Sequence, residues 1–242
     1  MKIIGVIPAR FASARFPGKP LIDLKGKSMI QRVYEGASKS HLLSEVIVAT
    51  DDQRIYDHVI GFGGKVAFTS MDHQSGTDRC GELALNSDAD VIINIQGDEP
   101  LIDARQIDAL INAFKVESVQ IASLGTHKIS LTDIHNSNRI KVVTDVNSNA
   151  LYFSRSAIPN SDNFKGDAVS FYPFMKHIGL YGYRKATLLK LVQLEATKLE
   201  QIESLEQLRW MYYGYKIHIV QTSIETPNID VPEDVAQILA LL

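Results

Sequence analysis

The run Ile3-Ile4-Gly5-Val6-Ile7 passes directly into Pro8-Ala9-Arg10-Phe11-Ala12-Ser13-Ala14-Arg15-Phe16-Pro17-Gly18-Lys19-Pro20-Leu21, and this junction decides the fold. The apolar run reads as a buried first strand. The loop behind it carries three cations and three prolines, with no acidic residue before Asp23. Prolines restrict the conformations such a loop can visit. Open α/β sheets bind ligands at the carboxyl ends of their strands. A restrained basic loop at that place suits a polyanion such as a nucleoside triphosphate. The plainer alternative is a solvated surface loop, and for Arg15 that alternative is kept.

Outward from this loop, β-rich runs alternate with helical periodicity. Ser28 is placed to cap a helix with Ile30, Val33, Tyr34 and Ala37 on one face. Glu45–Thr50 reads as a second strand, Ile55, Val59 and Phe62 mark a helix, and 65–69 is a third strand. Cys80, Leu83 and Ala84 give another helical face behind the turn Gln74-Ser75-Gly76. The most strand-like run is Val91-Ile92-Ile93-Asn94-Ile95, followed by a helix bearing Ile107, Leu110, Ile111 and Phe114. This alternation predicts an α/β fold, a mostly parallel Rossmann-like sheet flanked by helices.

The second half is less regular. Paired strands are expected at 139–144 and Ala150–Ser154, a loop at 160–168 and a strand at 177–183. Helices at 185–194 and 199–213, a strand at 216–221 and a closing helix with Val235, Ile238, Leu239 and Leu242 inside complete the chain. No repeat or linker divides it, so one domain over 1–242 is expected. Two halves are distinguished within it, about 1–120 and about 121–242.

Bulk composition excludes several classes. A net charge of −3 over 242 residues provides no global field for nucleic acid, so phosphate binding must be local. A single cysteine, Cys80, rules out an internal disulfide or a multi-cysteine zinc site. No apolar run is long enough to span a membrane, and the first residues enter a strand without a signal pattern. No stable membrane association is expected, and the cytoplasm is the expected location. Gly61-Phe62-Gly63-Gly64 ends a helix and enters a strand, the reverse of a dinucleotide fingerprint, which argues against a nicotinamide-dependent oxidoreductase.

Asp98, in Gln96-Gly97-Asp98-Glu99-Pro100, lies beyond the most buried-looking strand and at the same sheet edge as Arg10. A carboxylate beside a phosphate loop suits Mg²⁺, which combines one or two carboxylates with substrate phosphates. Gly97 permits close backbone approach and Gln96 offers an amide to orient a ligand. Asp230, at a strand-to-helix corner before Pro232, is free to be a second metal ligand, whereas Glu233 and Asp234 read as N-terminal charges of the last helix. Ser75-Gly76-Thr77-Asp78-Arg79 reads as a ligand-facing turn opening a helix, with Arg79 one turn in. Arg155, His177 and Tyr181 sit near strand ends. Glu203, Glu206 and Gln207 share one face of the 199–213 helix by spacing. Groups of both signs around one cleft suit a hydroxylated, carboxylated acceptor.

Taken in order, these segments resemble the 3-deoxy-manno-octulosonate (Kdo) cytidylyltransferase family, CMP-Kdo synthetases, over essentially the full length. The matching stretches include Ile7-Pro8-Ala9-Arg10, Phe16-Pro17-Gly18-Lys19-Pro20-Leu21, His73-Gln74-Ser75-Gly76-Thr77-Asp78-Arg79 and Asn94-Ile95-Gln96-Gly97-Asp98-Glu99-Pro100. Further on come Leu151-Tyr152-Phe153-Ser154-Arg155, Lys176-His177-Ile178-Gly179-Leu180-Tyr181-Gly182-Tyr183 and Leu205-Glu206-Gln207-Leu208-Arg209. The resemblance implies a nucleotide-diphospho-sugar transferase fold, a homodimer, Mg²⁺ dependence, and transfer of CMP from CTP to Kdo for lipopolysaccharide synthesis. It also implies that the half about 1–120 binds the nucleotide and the half about 121–242 serves the acceptor sugar and dimerisation. It implies that Ala9, Arg10 and Lys19 serve the phosphates, and that Ser75, Gly76 and Arg79 contact cytidine. Arg10, Lys19 and Asp98 would be catalytic, and Asp98 and Asp230 would hold the metal. Gln96, Arg155, His177, Tyr181, Glu203 and Gln207 would surround the acceptor. Sialic acid cytidylyltransferases are the nearest alternative, and the Phe16–Pro20 segment is of the Kdo type. Val231 stands where the family more often has threonine.

Overall fold

The computed structural model describes residues 1–12 and 16–242. Arg15 and its surface reading therefore lie outside the described residues. The strands in chain order are β1 (Ile3–Ala9), a small hairpin of β2 (Asp23–Leu24) and β3 (Lys27–Ser28), β4 (Glu45–Thr50), β5 (Val66–Phe68), β6 (Val91–Asn94), β7 (Ile121–Thr126), β8 (Lys141–Thr144), β9 (Ala150–Ser154), β10 (Lys176–Arg184) and β11 (His218–Gln221). The helices are α1 (Met29–Ala37), α2 (Gln53–Gly61), α3 (Gly76–Leu85), α4 (Ala104–Ala113), α5 (Leu131–His135), α6 (Ala168–Phe171), α7 (Lys185–Leu191), α8 (Lys198–Glu203), α9 (Gln207–Tyr212) and α10 (Asp234–Leu241).

The main sheet runs β11-β7-β10-β6-β1-β4-β5, with the β8–β9 pair attached to β10. β6, β1, β4 and β5 are mutually parallel. β10 runs antiparallel to both β6 and β7, and β11 is parallel to β7. Thus β10 alone runs backward among these seven strands, and the mostly parallel expectation holds. Strand order reverses at β1, between β4 and β6, which creates the crevice where open α/β sheets take ligands.

β1 shows how alternation builds two layers. Ile3 and Ile7 join the core under α1, α2 and α4, with Ile30, Val33, Ile55, Val59, Ile107 and Leu110. Ile4 and Val6 face the other layer, with Cys80, Ala84, Leu188, Leu208 and Trp210. A third, smaller cluster joins Leu24 and Met29 to Ile229 and Ile238, so α10 packs on the β2–β3 hairpin beside Phe16.

Three sequence readings need correction. The 199–213 segment is not one helix: α8 ends at Glu203, capped by Ser204, a left-handed residue with φ 51°, and α9 starts at Gln207. Arg209 reaches back to both carboxylate oxygens of Glu200, at 2.7 and 2.5 Å, and fastens the two pieces as a corner. Glu203 therefore does not share a helical face with Glu206 and Gln207. Asp230 does not sit at a strand-to-helix corner, because β11 ends at Gln221 and irregular chain leads to α10, whose N-cap is Glu233. Finally, the sequence pattern misses β7, which lies between β11 and β10 although its sequence, IASLGT, lacks a run of β-branched residues.

Candidate active site

β1 ends at Ala9. Gly18, at φ 72°, caps the short 3-10 turn Lys19–Leu21, and its N–H donates to the Phe11 carbonyl at 3.0 Å. A Cβ at Gly18 would meet the Phe11 ring at 3.1 Å, so the left-handed backbone and the ring contact both favour glycine here. The Arg54 guanidinium covers the same ring, 3.3 Å from its centroid. The turn swings Lys19 inward. Its ammonium donates to Asp98 Oδ2 at 2.9 Å and to the Ile229 carbonyl at 2.7 Å.

A cavity of about 340 Å³ opens at this point. Ala9, Arg10 and Lys19 line it from the first loop, Ser75, Gly76 and Arg79 from the start of α3, and Gln96 and Asp98 from the loop after β6. The structure brings all eight of these sequence-derived residues together. Ser75 and Asp78 form a reciprocal capping box at the start of α3 (3.1 and 3.0 Å). Ser75 and Gly76, at the start of that helix, line the cavity, and a helix N-terminus suits anions. At Gly97 a Cβ would sit 2.8 Å from the Pro8 carbonyl oxygen, so the β1 and β6 loops approach only because this residue has no side chain.

Arg79 borders the cavity but is buried, and its guanidinium is engaged by the scaffold. It donates to Thr69 Oγ1 at 2.7 Å, to the Ser70 carbonyl at 3.2 Å and to Asp51 Oδ2 at 2.6 Å. His73 also lines the cavity and was not singled out from sequence. Its Nε2 lies 2.5 Å from Glu82 Oε2, which also accepts the Ser70 N–H at 2.9 Å. That amide bond, with His73 beside it, holds the Glu82 carboxyl below its ordinary range.

A second cavity, about 680 Å³, shares Gln96 and Asp98 with the first. His177, Tyr181 and Gln207 line it, as expected from sequence, together with Lys176, Arg139 and Asn228, which were missed. Gln96 donates to the Gly179 carbonyl at 2.9 Å and so ties the β6 loop to β10. His177 stacks edge-on against Phe153 and pairs through Nε2 with Ser123 Oγ at 2.8 Å. Burial drives its pKa down to about 3, so the ring is neutral at physiological pH. Tyr181 is buried, and its hydroxyl makes no hydrogen bond of ordinary length among the described residues. Glu99 accepts from Thr226 Oγ1 at 2.9 Å. Burial first, then the neighbouring Asp98 charge, pushes it up to about 7.

Arg155 and Glu203 line neither cavity. Glu203 accepts from Ser154 Oγ at 2.7 Å and from the Arg155 N–H at 3.0 Å. The Arg155 guanidinium donates to the carbonyls of Glu203, Ser137 and Ser204. Asp230 follows Ile229, whose N–H is held by the Asp98 carbonyl at 2.9 Å. The Asp230 carboxylate accepts from Asn228 Nδ2 at 2.6 Å, and it too borders neither cavity. Among the described residues no group of three or more His, Cys, Asp or Glu is arranged to cage a metal.

Comparison with known proteins agrees with this geometry. A cytidylyltransferase family model matches residues 4–217. The 3-deoxy-manno-octulosonate cytidylyltransferase of Geotalea daltonii is 47% identical, over 100% of this chain and 98% of its own. The chain belongs to this family. The corresponding family member from Parabacteroides distasonis is 49% identical over the same shares. A solved structure of CMP:2-keto-3-deoxy-manno-octonic acid synthetase, complexed with CTP, superposes with a TM-score of 0.92 at 41% identity, covering 100% of this chain and 98% of that one. The 4-diphosphocytidyl-2C-methyl-D-erythritol synthase of Anaerococcus prevotii shares the fold alone, at TM-score 0.63 and 13% identity over 99% of this chain and 96% of its own. The cytidylyltransferase fold of this family is therefore the architecture described above. No helix among the described residues is long and apolar enough to cross a membrane.

Proposed function

We propose that the protein transfers CMP from CTP to 3-deoxy-D-manno-octulosonate (Kdo), releasing pyrophosphate and supplying CMP-Kdo for lipopolysaccharide synthesis. The observation that carries this reading is the meeting of the two cavities at Gln96 and Asp98. One is basic and flanked by a helix N-terminus, as a triphosphate requires. The other is lined by polar groups of both signs, as a hydroxylated acid requires. The junction is where the α-phosphorus and the anomeric hydroxyl of the sugar would meet in line.

Catalysis of this kind rests on positioning and charge stabilisation. Lys19, already aimed at Asp98, would exchange that carboxylate for the phosphates and hold charge growing on the leaving pyrophosphate. Arg10, exposed at the mouth, would neutralise the same group from outside. The α3 amides and Ser75 would seat the nucleotide, while Arg79 keeps the 69–70 backbone in place beneath it. Gln96 would orient the acceptor at the junction. His177 is too weak a base to take a proton, so its part is to shape the acceptor cavity with Tyr181 and Gln207.

Mg²⁺ accepts few protein ligands and completes its shell with phosphate oxygens and water; Asp98, at the junction of the cavities, fits that pattern, and Asp230, outside both cavities, is tied to the same segment through the Ile229–Asp98 backbone hydrogen bond. Asp98 and Asp230 would hold it, and its charge would draw electron density from the phosphates and lower the pKa of the attacking hydroxyl. Family membership supports a homodimer, and a substrate such as CTP supports work in the cytoplasm. No nucleic-acid partner is part of this reading. The test is CTP-dependent pyrophosphate release across a panel of 2-keto-3-deoxy sugar acids, including Kdo, 8-amino-Kdo and sialic acid. Release with Kdo supports the reading, release only with sialic acid reassigns the acceptor, and no CTP turnover overturns it. Sedimentation equilibrium tests the dimer.

A further inference from the structure

Lys141 opens β8 and is wholly buried. Its ammonium donates to three backbone carbonyls, those of Asn136 (2.9 Å), Arg139 (2.6 Å) and Arg155 (2.6 Å). A lysine ammonium has three N–H donors, so each finds one acceptor. Burial lowers its pKa, while the Glu203 charge opposes that shift. A buried cation is costly unless its donors are satisfied, and a side chain that only filled space here would do better without charge. The three carbonyls belong to two separated segments. One is the 136–140 turn, which presents Asn138, Arg139 and Ile140 to the second cavity. The other is the end of β9. From that end the Arg155 guanidinium reaches the carbonyls of Ser137, on the first wall, and of Glu203 and Ser204. The latter two form the corner that presents Leu205 and Gln207 to the same cavity. Both walls of the second cavity thus hang on two cations that together bind six carbonyls.

We propose that Lys141 is a positioning residue for the acceptor: its ammonium fixes the spacing between the 136–140 wall and the 203–207 wall. It does not touch substrate. The proposal rests on the second cavity being the acceptor site. Loss of the ammonium frees both walls together and leaves the nucleotide cavity untouched, because no residue of either wall lines it.

Lys141→Met removes all three donors, and Lys141→Gln keeps two. For Lys141→Met, kcat/KM for the sugar is expected to fall roughly 10- to 100-fold, the cost of misplacing a reactant by a fraction of its size. The loss should lie in the sugar KM, with the CTP KM within about twofold of wild type, and Lys141→Gln should fall between. Amide hydrogen exchange should quicken in 136–140 and 203–207 together, and not in α3 or β6. A purely structural lysine would lower thermal stability and leave both KM values unchanged. Unchanged sugar KM, equal changes in both KM values, exchange confined to one wall, or failure of both variants to fold would each overturn the proposal. The exchange readout needs no sugar, so it stands even where wild-type protein releases no pyrophosphate with any acid in the panel. That separate outcome would count against the functional reading.

Discussion

Lys19 Nζ donates to Asp98 Oδ2 at 2.9 Å across 79 residues of chain. The two groups come from the loops after β1 and β6, neighbouring parallel strands, and both are mostly shielded from solvent. Under the proposed function each group's partner in the reaction has the opposite charge: phosphate for the lysine, metal for the carboxylate. The ion pair would then be the resting arrangement of two groups that separate to receive a metal-bound triphosphate.

Replacing Lys19 by alanine is expected to slow turnover roughly 10²- to 10³-fold, the typical effect of removing one transition-state donor. Steady-state pyrophosphate release measures this. Normal kcat with only weaker CTP binding would show that the lysine serves ground-state binding alone.

Asp98→Asn keeps the size of the side chain and removes its charge. Pyrophosphate release measured against Mg²⁺ concentration is expected to lose its metal response. A variant with wild-type rate and wild-type metal dependence would remove Asp98 from the metal site.

Gly97→Ala places a methyl group 2.8 Å from the Pro8 carbonyl oxygen. Relief requires the β1 and β6 loops to part, at a cost of about 1–3 kcal/mol for overpacking. Calorimetry should show a lower Tm, and CTP titration a weaker Kd, because the parted loops carry Arg10 and Asp98. Wild-type values for both would mean that the backbone adjusts freely there.

Ser75→Ala breaks the capping box of α3. The expected loss is about 1 kcal/mol, or roughly 2–4 °C in Tm for a chain of this size, read by differential scanning calorimetry. Because the same hydroxyl borders the nucleotide cavity, CTP affinity should fall as well. A Tm within error of wild type would show that Asp78 alone secures the helix start.

His177 gives a pH dependence whose sign follows from burial. Its pKa is 6.5 when unperturbed and about 3 in the fold, so the unfolded chain takes up the proton first. The native state's advantage is complete above pH 6.5 and is lost as pH falls toward 3. Denaturant titrations at a series of pH values should show wild type losing more stability than His177→Gln across that window. Parallel curves would mean that the imidazole is solvated. No ionisation near 6.5 in a pH–rate profile should belong to this residue.

The nucleotide side was legible because its chemistry is local. Each loop there follows a strongly apolar strand, and Arg10, Ser75 and Asp98 fall within a few residues of a strand end or a helix start. The acceptor side is assembled from distant pieces. Lys176, Arg139 and Asn228 meet only after β10 inserts between β6 and β7. β7 itself hid because small residues suffice for a strand buried on both faces between two others. The 199–213 segment carries a helical pattern throughout, and only the left-handed Ser204 and the Arg209–Glu200 pair show where it turns. Arg155 and Glu203 were read as ligand groups since charge in sequence does not reveal its partner. The fold gives them carbonyls and hydroxyls instead.

The backward course of β10 divides the labour between two kinds of chain end. The cavity proposed for the nucleotide is lined by segments leaving the sheet, after β1 and β6. The proposed acceptor is met by a segment entering it, at Lys176 and His177, on the same rim. On that reading, changes in the chain ahead of β10 would alter which sugar acid is accepted while the turns proposed to grip the triphosphate stay intact. One scaffold can in this way keep its nucleotide and drift in its choice of acceptor.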